Sequence, residues 1–221
     1  MKKIEKIIFF TSSPIPTNEK FFNDIIKDLE LEKVNEVEDN IEEELSEKGN
    51  IKIQFRIDPV NFLAEDEIYY IRIQLGRLEF GMKNSINNSD YNLLDFENKY
   101  NKIIEKIESA YLEIARVGYV HSFFEKDKGI ESLNINFLNN KDKVEIRFNK
   151  EEEIENYIFN NHVRITDTLD DEKGLLILQD FNSKLEMEKT FNKDFINKVF
   201  KKLKEEYYEI NFKEKILNLD N

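Results

Sequence analysis

Between Leu112 and Phe181 the chain abandons helical spacing. Leu112 to Phe124, Leu133 to Leu138, Lys143 to Phe148, Val163 to Thr168 and Leu175 to Phe181 are runs of β-branched and aromatic residues broken by turn-forming stretches. Asn139-Asn140-Lys141-Asp142 and Asp170-Asp171-Glu172-Lys173-Gly174 carry turn chemistry, which predicts two antiparallel hairpins. Strands in series, interleaved with a few helical patterns, define an α+β class. The expectation is a largely antiparallel sheet of about eight strands with three to four amphipathic helices.

The first half supplies the other elements. Lys3 to Thr11 reads as a strand closed by Ser12-Ser13-Pro14-Ile15-Pro16, and Thr17 is placed to cap a helix with Phe21, Phe22, Ile25, Ile26 and Leu29 on one face. Val34, Val37, Ile41 and Leu45 predict a second helix ending at Gly49. Ile51 to Ile57, Ile68 to Leu75 and Arg77 to Lys83 are β-like. The strongest helical stripe is Leu93, Phe96, Tyr100, Ile103, Ile104, Ile107 and Tyr111. In the closing helix Asn192 caps, Phe191 and Ile196 occupy hydrophobic-staple positions, and Phe195, Val199, Leu203 and Tyr207 face inward. No internal repeat and no Pro/Gly-rich linker stands out, so residues 1–221 read as one domain. At most it divides into two lobes, 1–111 and 112–221, packed without a linker.

A chain of 221 residues with 18 Phe and 9 Tyr can bury roughly 70% of its unfolded surface without a metal or disulfide to hold it. The lack of cysteine excludes thiol chemistry and Cys-ligated zinc. No run nears the roughly 20 apolar residues of a membrane span. Near the N-terminus, Ile7 to Phe10 is shorter than a secretory core, so a cytoplasmic location without a membrane partner is expected. The net charge of −13 argues against duplex nucleic acid as a direct partner, because such affinity comes mainly from neutralising phosphates.

Catalytic patterns are sparse. Gly76 and Gly81 stand at phosphate-loop spacing, but Met82 occupies the lysine position and Glu79 points negative charge at a phosphate. The two histidines, His121 and His162, lie in separate β-like runs and not at the helical spacing of a zinc protease. His121 shares a strand face with Val117, Tyr119 and Phe123, which suits a core histidine; His162 alternates with Arg164, Thr166 and Thr168 on a solvent row. Asp95, Glu97 and Lys99 supply the letters of a nuclease motif inside a helix. Asp167, Asp170, Asp171 and Glu172 suit a turn more than a cation loop. Lys198, Lys201, Lys202 and Lys204 form a basic cluster followed at once by Glu205, Glu206 and Glu209. No cofactor is implied.

The acidic run from Asp28 to Glu47 is the most unusual feature. On the predicted second helix Glu36, Asp39, Glu43 and Glu47 form a row opposite the apolar face, a candidate docking surface for a protein partner with a basic surface. The Leu75-Gly76-Arg77-Leu78-Glu79-Phe80 strand, the Tyr91 to Ile107 loop and helix, the Arg116-Val117-Gly118-Tyr119 strand, the Leu175 to Asp180 strand and the Phe191 helix form a further pattern. Taken in order, it resembles a sporadically distributed family of uncharacterised bacterial proteins found near mobile elements or defence genes. Where that family continues through an Arg-Tyr pair to an Asn, this chain has Val120, His121 and Phe123. The resemblance implies a defence or counter-defence setting and assigns no catalytic residue. The functional expectation is a non-enzymatic, regulatory or inhibitory protein-binding protein. The rival is a metal-dependent phosphodiesterase or nuclease with dispersed carboxylates.

Overall fold

The structure is a computed structural model. It describes residues 2–13, 15, 19–34, 42–45, 51–54, 62–74, 76–83, 92–129, 145–168, 174–184 and 190–205. In chain order the elements are β1 (Lys2–Thr11), α1 (Glu19–Leu29), β2 (Glu32–Lys33), β3 (Glu42–Leu45), β4 (Ile51–Gln54), β5 (Phe62–Glu65), β6 (Tyr69–Gln74) and β7 (Arg77–Met82). There follow α2 (Leu93–Ser109), β8 (Ile114–Lys126), β9 (Glu145–Ile154), β10 (Tyr157–Thr168), β11 (Gly174–Ser183) and α3 (Lys193–Leu203). Nine strands form one sheet in the order β2-β5-β6-β7-β1-β8-β11-β10-β9, every neighbouring pair antiparallel, while β3 and β4 pair only with each other. The fold is α+β, as the alternation of strands and helical stripes requires.

All three helices lie on one face of the sheet. Phe22 of α1 meets Phe62 of β5, Phe96 of α2 meets Phe80 and Tyr69, Tyr100 of α2 meets Phe9, and Phe200 and Phe195 of α3 meet Tyr119 and Phe159. Period-two alternation puts Phe9, Ile71, Ile73, Leu78, Phe80, Val117, Tyr119 and Phe181 on that face, and all are buried. Neighbouring helices are tied by lysines of α2. Lys99 and Lys102 donate to the carbonyls of Leu29 and Asp28 at the end of α1, where the helix dipole favours a cation.

Strand order repeats between the two halves, a regularity that the sequence pattern did not show. In the first half, β1 is followed, after α1 and β2 to β4, by the meander β5-β6-β7, whose last strand returns to pair with β1, and then by α2. In the second, β8 is followed by β9-β10-β11, whose last strand returns to pair with β8, and then by α3. The first strands of the halves, β1 and β8, pair antiparallel at the centre, so a pseudo-twofold axis passes between them. The registers agree with that axis. Ile7 lies opposite Tyr119, and each is flanked on its outer side by a core phenylalanine, Phe80 and Phe181 respectively. The two post-meander helices even share a five-residue pattern, Asp95-Phe96-x-Asn98-Lys99 and Asp194-Phe195-x-Asn197-Lys198.

Both helices also start alike. The Asn92 side chain accepts from the Leu94 and Asp95 amides at 2.9 and 3.4 Å, and the Asn192 side chain accepts from Phe195 N at 2.9 Å. Asn192→Ala or Asn92→Ala should each cost about 1 kcal/mol, with Asp at either position close to neutral, in urea denaturation.

Three expectations need correcting. The helix expected from Val34 to Leu45 does not form at Glu42–Leu45, which is a strand paired with Ile51–Gln54. Ahead of it, Glu32–Lys33 pairs with β5 and Val34 N donates to Leu63 O. The β-branched Val34, Val37 and Ile41 favour extended backbone, and like charges four apart penalise a helix there. Secondly, Tyr111 belongs to no buried stripe. α2 stops at Ser109, Leu112 N returns to Ile107 O, and Tyr111 takes a left-handed φ of 55° with 93% of its surface exposed. Thirdly, β9 and β10 run on well past Phe148 and before Val163, joined by a two-residue turn at Glu155 and Asn156 with φ of 49° and 67°. Tyr207 and the expected strand from Leu133 to Leu138 lie outside the described residues.

Candidate binding face

Alternation along the strands assigns the opposite face of the sheet, which carries none of the three helices. At its centre the Phe10 ring of β1 lies between two guanidinium groups. Arg77 of β7 stands 5.7 Å from the ring centroid and Arg116 of β8 stands 5.3 Å from it. The register explains this, because Phe10 is opposite Arg77 on one side and Arg116 on the other. Arg116 donates to Asn182 Oδ1 at 2.6 Å, and Asn182 in turn donates to Asp180 Oδ1 at 3.1 Å. Gly118, opposite both Ile8 and Asn182, is buried between their side chains.

Beside the Phe10 cluster sits Glu79, 4% exposed. The Tyr70 hydroxyl donates to its Oε1 at 2.5 Å, Lys6 Nζ is 3.4 Å from the same oxygen, and Arg77 pairs with Oε2. Burial would raise this carboxyl. The Tyr70 hydrogen bond and the Lys6 and Arg77 cations outweigh burial and hold it below the usual carboxylate range. Glu79 is thus a fixed anion that holds Arg77 in place. Towards the far edge His162 contacts Asn149 at 2.6 Å, and Arg147 and Arg164 share Glu145. Phe124 and Leu176, at one end of this face, are buried, so its accessible part runs from β6 through the centre to β9.

One regularity ties these side chains together. The chain holds 33 Lys plus Arg, of which only six are arginine, and every arginine among the described residues projects from this face. They are Arg72, Arg77, Arg116, Arg147 and Arg164, one on each of five strands. Arginine differs from lysine in its planar fork of donors and its ability to stack on aromatic rings. Placing every described arginine here, beside Lys6, therefore selects recognition chemistry as well as charge.

The residues singled out from the sequence are not brought together. Glu43 lies in β3, and Glu36, Asp39 and Glu47 lie outside the described residues. His121 is buried on the helix side, opposite Ile4 and Gln179, and burial pushes its pKa down to about 4. Gln179 there donates to Asn161, which donates to Glu152, in a polar row within the core. Gly76 to Met82 is a hairpin turn and strand, not a phosphate loop. Glu97 pairs with Lys204 at 2.8 Å, Lys99 caps α1, and Lys198 and Lys201 pair with Glu155 and Glu205. Among the described residues no three carboxylate or imidazole groups converge as metal ligands would. No described helix is long and apolar enough to cross a membrane. No protein-family model matches the chain, and no curated protein matches it in sequence.

Proposed function

We propose that this chain is a non-enzymatic binding protein that acts through a protein partner docking on the face of its sheet opposite the three described helices. The observation that carries the reading is the gathering of all described arginines on that face around Phe10. Arginine and aromatic side chains near the centre of a patch, with polar and charged groups around them, match the anatomy of a protein interface. The acidic run from Asp28 to Glu47, with Glu36, Asp39, Glu43 and Glu47, is the proposed contact for a basic surface on the same partner. An inhibitory role in a bacterial defence or counter-defence setting is consistent with the family resemblance.

Position-specific photo-crosslinking in the native cell tests this. A crosslinker replacing the exposed His162 on the open face should trap a protein, and one at the exposed Asn101 on α2 should not. Equal trapping from both positions, or none from His162, would sink the reading. A parallel assay with magnesium or manganese and a labelled oligonucleotide is expected to show no cleavage; metal-dependent cleavage would favour a phosphodiesterase instead.

A further inference from the structure

We infer that Arg77, Phe10 and Arg116 form the anchor of that face and that the partner presents protein carboxylates to it. This inference rests on the proposed docking face. Three observations support an anionic occupant. Arg77 Nε and Arg116 Nε are both buried donors with no hydrogen-bond acceptor, on either side of the same ring. Each guanidinium has one Nη committed, to Glu79 and Asn182 respectively, which fixes its plane and leaves donors unspent. Among the described residues no carboxylate pairs with Arg116 or with Arg72 on β6. The two Nε atoms are closed to solvent, but the Arg77 side chain keeps 37% of its surface, so the remaining Nη donors can take an acceptor from outside.

Charge decides between classes of anion. The body carries a net −13, and Glu79, Asp180 and Glu145 are interleaved with the arginines on this face. A polynucleotide lays down regularly spaced charges and would meet those carboxylates along with the arginines. Protein carboxylates come singly, and an arginine fork binds each of them with two parallel hydrogen bonds. β7 and β8 are separated by β1, so the two guanidiniums rise from strands roughly 10 Å apart. Carboxylates two helical turns apart on a partner, about seven residues, share one face and span that gap.

The test uses as probe a fluorescein-labelled helical peptide whose only charged residues are two glutamates seven positions apart, by anisotropy at about 10 mM ionic strength, where screening extends to roughly 30 Å. The wild-type protein should bind it despite its own charge. Arg77→Gln and Arg116→Gln should each weaken binding about tenfold, the factor for losing one charged hydrogen bond. Arg77→Lys with Arg116→Lys keeps the charge, loses the fork, and should recover only part of the affinity. Thermal melts of each variant separate loss of the site from loss of the fold. Equal affinity in wild type and the double Gln variant would overturn the inference, as would oligo(dT) binding with the same arginine dependence. Trapping of a protein from position 162 that survives the double Gln variant would overturn the anchor and leave the docking face standing.

Discussion

Phe96→Ala should lower the unfolding free energy by about 3 to 5 kcal/mol, the range for removing a fully buried phenylalanine and leaving a cavity. Phe96 has no exposed surface and sits where α2 crosses the first half of the sheet, 5.0 Å from the Phe80 ring and 6.2 Å from Tyr69. Those rings come from adjacent strands, and neither has slack to refill the space: Tyr69 and Phe80 are themselves buried and stacked on each other at 5.6 Å. The pseudo-twofold axis supplies an internal control. Phe195 holds the matching position on α3, against Phe159, Tyr157 and Phe191, and retains 9% of its surface. Phe195→Ala should therefore fall at or below the low end of the same range. A chevron or urea midpoint for Phe96→Ala within error of wild type would mean that α2 does not pack as described.

The helices were legible in the sequence because their apolar spacing and caps agree. The stripe at Phe96, Tyr100, Ile103, Ile104 and Ile107 is buried as expected, and Asn192 caps α3 as expected. Glu42–Leu45 was misread because a run of four residues is too short for its periodicity to separate helix from strand, and no local signal reports a pairing partner further along the chain. The β9–β10 hairpin was missed at its turn. Glu155-Asn156 lacks the glycine that usually announces positive φ at both central positions, and asparagine alone satisfies the second. The repeated strand order was not legible because a strand constrains its sequence only to alternation; only the helix pattern at Asp95 and Asp194 repeats its letters.

The candidate face was missed for a different reason. Arg72, Arg77, Arg116, Arg147 and Arg164 are spread over 93 positions, and singly each is a polar residue on a β-like run. Only the register of seven adjacent strands, from β6 to β9, places them on one surface. A usable signal did exist. In a chain that otherwise uses lysine for positive charge, arginines fell repeatedly at strand positions whose neighbours face the core.

The second large effect is a loss of stability on mild acidification, traceable to His121. In the folded protein its imidazole is buried among strands β1, β8 and β11, and burial disfavours the cation, lowering its pKa from 6.5 to about 4. The unfolded chain takes up this proton near pH 6.5, whereas the folded chain resists it down to about pH 4. Between those values the unfolded state binds more protons, so stability falls as pH falls. The contribution is complete above pH 6.5 and is lost at about 1.4 kcal/mol per pH unit across the window, roughly 3 kcal/mol in all. Carboxylates such as Glu79, whose folded pKa is depressed, add their own loss at the acid end of the same range. The histidine part is separable by substitution. Urea titrations of wild type and His121→Gln between pH 7 and pH 5 should diverge, the wild type losing about 2 kcal/mol more than the variant over that interval. Parallel curves for the two proteins would show that the imidazole is not buried in its neutral form.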